Sequence, residues 1–429
     1  QEVIKCGSIG MSGTNNTNTG SNGECSINLG WEPDFVWTQG TEYQYAGSWR
    51  IYDRMRGVDF LAGATSTTQW KSQELIEQWI AETSKTSGPG IRFTSTGFDW
   101  SYGGLAGNAN NGHTWMAIRK ADGLVGKPPT GTDAFHIASG NFNAGPPTFL
   151  SNNFPVEFAI QKDPVNVQNV DILLRDMGHY VLALNNTAAQ TGSTANYGMD
   201  HGNGIMNNNL ETTFKAWLWR GGPGLDVTFH VGNGGSGHAI PHNLGVIPEM
   251  IFAKNIEKVD DWMVYHKGLN GGTSPQNYYV RTNNTGGEAT SSPWSSAPDA
   301  MNIYLGNDGN INESGDTSAF ILFSSVEGFS KVGSYTGNGS TQSITCGFSP
   351  KMVMIKSRST NPFMMLDTVR GWGSGDDYAL KFTDPWGHTH TGPPDNNQDF
   401  GAPTSTGFDL TNNSWPNANN VGYIYYAVA

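Results

Sequence analysis

A chain of 429 residues with a formal net charge of −13 and only 24 lysines and arginines lacks the clustered cations that bind a phosphate backbone, which argues against nucleic acid as a partner. Charged residues make up 14%, aromatics 11%, glycine occurs 56 times, and no apolar run is long enough to span a membrane as a helix. Such a balance predicts an all-β protein of short strands and turns, built as tandem β-sandwich modules of jelly-roll or lectin-like kind.

The chain opens at Gln1 with no methionine and no basic and apolar leader, which implies removal of a signal peptide or pro-segment. From there its elements recur. KCGSI at Lys5 returns as KVGSY at Lys331, and LGWEPDFVWTQ at Leu29 returns as LGVIPEMIFAK at Leu244 and CGFSPKMVMIK at Cys346. WRIYDRMRG at Trp49 matches FMMLDTVRG at Phe363 and, more loosely, WMVYHKGLN at Trp262; TSTGFDW at Thr94 matches TSTGFDL at Thr404. Anchors in one order, roughly a hundred residues apart, mean internal repeats. Four copies are expected, over residues 1–121, 122–221, 222–325 and 326–429.

The first copy carries a low-complexity stretch from Thr14 to Glu24 and then alternates apolar residues through Trp31, Phe35 and Trp37, a half-buried strand. In QWKSQELIEQWIAETSK, Trp70, Leu75, Ile76, Trp79 and Ile80 fall at helical spacing, which predicts a helix over 69–85 packed on a sheet. The second copy is the most diverged and keeps FPVEFAIQK at Phe154 and VDILLRDMGHY at Val170. Gly222, Pro223 and Gly224 mark its end. The third and fourth copies join with almost no linker, so adjoining modules should pack on one another.

Candidate chemistry is sparse. Neither a strand with alternating carboxylates nor a nucleophile elbow nor a phosphate-cradling loop is present, so an enzyme is not expected. Glu74, Glu77 and Glu82 read as a solvated face. Asp53 with Arg56, and Asp367 with Arg370, sit at one repeat position and read as turn-end pairs that close locally. Asp308, Asn310, Asn312 and Asp316 alternate as in a calcium loop, but Glu313 stands where that loop needs glycine. His388 and His390 would share a strand face without a third ligand. No cofactor is expected.

Cys6 and Cys25 either close a disulfide or stay as separate thiols, and Cys346 takes a core position held by Leu29 and Leu244 in other copies. Sequons begin at Asn15, Asn185, Asn283, Asn312, Asn338 and Asn412, a number that chance alone accounts for. Trp294, Trp372, Trp386 and Trp415 are expected in loops, where they would stack on sugars or meet another subunit.

The sequences EGFSKVGSYTGNGS, GFSPKMVMIKS, MLDTVRG, STGFDL and YIYYAVA of the last copy, with HNLGVIPEMIFAKN and DWMVYH of the third, resemble a repeat found in structural proteins of marine tailed bacteriophages, including cyanophages. That resemblance covers residues 222–429 well, 1–121 fairly and 122–221 poorly. It implies a non-enzymatic virion or extracellular protein, a protomer of a filament, tail or surface appendage, with a carbohydrate-binding, receptor-recognising adhesin as the alternative. A homo-oligomer or polymer is expected, with a first strand that completes a neighbour's sheet as the proposed contact.

Overall fold

The computed structural model describes residues 4–12, 24–40, 49–53, 70–76, 79–85, 90–101, 110–119, 134–140, 147–151, 154–164, 167–192, 197–199, 201–207, 214–373, 375–383, 399–411 and 415–429. Its sheets are antiparallel, and each draws its strands from one of four consecutive stretches of chain. In the last, the large sheet runs in the order Ser330–Thr336, Gly422–Val428, Met352–Ser357, Met364–Asp367, Leu380–Lys381. A small sheet of Gln342–Thr345, Gly407–Leu410 and Pro403–Thr404 covers one side. The other three stretches repeat this plan, first strand beside last and third beside last, with corresponding central strands Pro33–Gly40, Phe158–Lys162 and Met250–Asn255.

The repeated sequence anchors are those where backbones meet. Gly30, Gly245 and Gly347 have φ of 78°, 74° and 90°, a left-handed conformation that glycine adopts without strain. The amides of Leu29 and Gly30 both donate to the Thr96 carbonyl, and those of Cys346 and Gly347 both donate to that of Thr406. Beside them, a Cβ on Gly97 or Gly407 would lie 1.9 Å from the carbonyl oxygen of Ile27 or Ile344, so the STGF turn tolerates nothing larger. In the first and fourth modules the LG-type and STGF anchors occur together because each holds the other.

Each central strand is apolar on both faces. In the fourth module Val353 and Ile355 point to the small sheet and share a core with Phe408, Trp372 and Tyr425, while Met352 and Met354 point the other way. The third module repeats this with Ile251 and Ala253 inward and Met250 and Phe252 outward. In the second, Ala159 faces inward and Phe158 and Ile160 outward. Outward residues of these three modules merge into one apolar cluster, which also takes in the inner core of the first module. Burial on both faces in the second, third and fourth modules, with the inner core of the first joined to the same cluster, makes one continuous core.

Two expectations fail at the first module. Where a helix was expected over 69–85, the described residues form two paired strands, Trp70–Ile76 against Trp79–Lys85 with Ile76 opposite Trp79. Trp49–Asp53 presents a free sheet edge, and pairing along it outweighs the helical periodicity, since tertiary context overrides local propensity. The first strand, Ile4–Ser12, pairs with Asn110–Arg119 of its own sheet, which leaves no donated strand for a neighbour.

Candidate functional site

The described residues concentrate buried polar contacts where modules meet. Between the second and third, Trp262 Nε1 donates to the Ala183 carbonyl at 2.9 Å and Thr282 Oγ1 to the Leu184 carbonyl at 2.9 Å. Between the third and fourth, Lys356 Nζ donates to the Gly286 carbonyl at 2.6 Å. The Arg370 guanidinium lies 5.0 Å over the ring of Trp217, from the fourth module onto the second.

His266 joins the third module to the fourth with a defined tautomer. Its Nδ1 accepts from the Gly268 amide at 2.9 Å, so Nε2 carries the proton and donates to the Tyr425 carbonyl at 3.3 Å. Complete burial holds its pKa down to about 4. The unfolded chain, with histidine near its ordinary value, therefore takes up a proton first as pH falls. Stability contributed by neutral His266 is present above about pH 6.5 and is lost between there and pH 4, by about 3 kcal/mol in all. Urea unfolding at a series of pH values should show this decline, and His266→Leu, which copies Leu174 of the second module, should remove that part of it.

The first and third modules meet at a second histidine site. Asn243 Nδ2 donates to Glu32 Oε2 at 3.0 Å, and Ser95 Oγ lies 3.2 Å from His230 Nδ1. His230 is the next-to-last residue of the strand Leu225–Val231, and His238 begins His238–Pro241 after a glycine-rich loop. Their Nε2 atoms are 2.9 Å apart, with ring planes at 67°, and both rings are half-buried. His238 Nδ1 lies 3.2 Å from Asn312 Oδ1.

Asn312 sets the proton order. Fully buried, it spends its amide on the carbonyls of Gly235 and Gly306 at 2.8 and 2.6 Å, so Oδ1 must accept. In the neutral pair His238 Nδ1 then donates to Asn312, His230 Nε2 donates to His238 Nε2, and Ser95 donates to His230 Nδ1. Asn417 makes the same loop clamp in the fourth module, donating to Ser340 and Thr411 carbonyls while accepting from the Asn338 amide. There Tyr335 and Gln342 stand in place of the two histidines. Sequence reading passed over His230 and His238; the signal was available in that contrast between copies.

Most predicted site residues are placed elsewhere. Trp294 and Trp372 are 4% and 3% exposed and belong to module cores, so neither offers a face to a sugar. Trp415 is half-buried with Lys381 Nζ 5.4 Å over its ring. Trp386, Arg56, His388 and His390 lie outside the described residues. Asp367 and Arg370 do close locally, Arg370 Nε donating to Asp367 Oδ2 at 2.5 Å within the core.

Asp308, Asn310, Asn312 and Asp316 do not converge. Asp308 caps the helical turn Gly309–Asn312, Asn310 Oδ1 accepts from the Asp261 amide, Asn312 clamps its loop, and Asp316 pairs with Lys258 at 2.7 Å. The helical turn points alternate side chains apart, which a calcium loop cannot do. Cys6 is a free thiol: Gly7 packs against the Trp115 ring, so Cys6 faces away from the small sheet that holds Cys25. Cys346 is buried as expected, with its thiol pushed up to about 11 by burial.

Of the sequons, Asn312 is inaccessible, and Asn283 is engaged with the Trp262 amide and Asp261. Asn185 donates to Asn169, Asn338 is exposed, and Asn15 and Asn412 lie outside the described residues.

No helix among the described residues is long and apolar enough to cross a membrane. No curated protein and no solved structure matches the chain. The family defined by the domain of unknown function DUF7483 matches residues 184–429, from inside the second module through the whole of the third and fourth and more than half of the chain, and the protein belongs to that family.

Proposed function

We propose that the protein is a non-enzymatic structural component of an extracellular or virion-associated assembly, such as a tail or surface appendage, and works as a homo-oligomer or polymer. The observation that carries this reading is one sheet face of the first module. Its residues Ile4, Cys6, Phe35, Met116 and Ile118 occupy, by register, the positions of Phe135, Ile137, Phe158, Trp217 and Trp219 in the second module. In the second, third and fourth modules that face is buried in the common core; in the first, Ile4 is 55% exposed, Cys6 is exposed and the other three are half-buried.

An apolar face that this fold buries in every other copy is suited to the same face of a second chain. Sugar stacking has less support, because two of its four tryptophans are in cores. Light scattering and electron microscopy of the native protein should give a mass well above the 46.3 kDa chain, as rings, fibres or closed oligomers. Ile4→Asp should shift that mass toward the single chain. A monodisperse monomer at high concentration, or assembly indifferent to Ile4→Asp, refutes the reading.

A further inference from the structure

We propose that His230 and His238 form a binding site for one divalent transition-metal ion of the zinc, copper or nickel class, and that this ion ties the first module to the third. Two Nε2 atoms already converge, one from the end of each strand flanking the glycine-rich loop. Ligands at about 2.0–2.1 Å around a tetrahedral ion stand about 3.3 Å apart. The observed 2.9 Å needs only a small opening of two half-buried rings. The ion replaces the proton shared between the Nε2 atoms, and water or a neighbouring chain completes its shell.

Both remaining ring nitrogens are held as metal-bound imidazoles require, each Nδ1 anchored by an outer partner that fixes the ring. His238 Nδ1 keeps its donation to Asn312 Oδ1, whose orientation is set by the carbonyls of Gly235 and Gly306. On metal binding His230 Nδ1 gains the proton and donates to Ser95 Oγ, a hydroxyl that serves equally as donor or acceptor. Ser95 belongs to the first module and is 3% exposed, so occupancy at the histidines bears directly on the joint.

The fourth module provides an internal control. Its loop carries the same asparagine clamp with Tyr335 and Gln342 in the corresponding places, so the histidines are not required for the loop to fold. Imidazole is nonetheless present at both positions of the one copy that abuts Ser95.

Calorimetric titration of the chelator-stripped full chain with Zn2+ tests this. Wild type should take up at saturation one ion more per chain than either His238→Gln or His230→Tyr, substitutions that copy Gln342 and Tyr335. Ser95→Ala should weaken that ion by about 10- to 100-fold, the usual cost of losing an outer partner. Zinc uptake by either histidine variant equal to wild type, or no uptake by wild type at millimolar Zn2+, overturns the proposal. Circular dichroism of each variant establishes that it is folded, and His230→Tyr stands in should His238→Gln fail to fold.

Discussion

Asp367→Leu should lower the unfolding free energy by about 3–5 kcal/mol, read from urea denaturation at neutral pH. The carboxylate and the Arg370 side chain are 0% and 1% exposed. Asp367 takes two hydrogen bonds from Arg370, from its backbone amide at 2.9 Å and from Nε, while Arg370 Nη2 reaches the Met365 carbonyl at 3.0 Å. Removing the carboxylate strands a guanidinium in an apolar core, and that uncompensated charge sets the size of the effect. The second module indicates the rescue. Leu174 stands where Asp367 does, Met177 where Arg370 does, and both are buried in the common cluster. Asp367→Leu with Arg370→Met should therefore recover most of the loss, because two well-packed apolar side chains substitute for a buried ion pair at little or no cost. A double variant as unstable as the single one would mean that the guanidinium over Trp217 matters more than its charge balance.

Phe323→Ala should cost about 3–5 kcal/mol and, unlike an equal deletion inside a single module, should weaken cooperation between modules. The Phe323 ring lies 6.0 Å from Phe158 of the second module, 5.6 Å from Phe252 of the third and 4.9 Å from Tyr426 of the fourth. All four are fully or almost fully buried, so the cavity opens where three outward faces meet. Phe408 is the comparison, equally buried but packed against Trp372 and Tyr425 within the fourth module. Scanning calorimetry should resolve a split or broadened transition for Phe323→Ala and a lowered single transition for Phe408→Ala. A single lowered transition in both variants would show that Phe323 is not what couples the modules.

Strands, turns and the fourfold repeat were legible in the sequence because local backbone demands write them. Gly347 must adopt a positive φ, and Gly407 must leave room for the Ile344 carbonyl, so LG-type and STGF anchors appear together in the first and fourth modules. Trp294 and Trp372 misled for the opposite reason: a tryptophan among polar residues looks like a surface ring, and only folding brings Tyr265 or Phe408 against it. Residues 70–85 misled because their spacing suits a helix, while the deciding influence, an open edge on Trp49–Asp53, lies outside the segment. The histidine pair is eight residues apart on separate sheets and has no spacing motif at all.

What the sequence determined by itself is the recurring module, because short-range turn demands write its anchors and period-two alternation marks its strands. What only the tertiary structure decided is the use of the outward face. Met250 with Phe252, Met352 with Met354, and Phe35 with Trp37 read alike along the chain, yet the first two pairs are buried among modules and the third is half-buried. Alternation specifies that a face is apolar; which surface covers it depends on long-range packing that one-dimensional order does not encode.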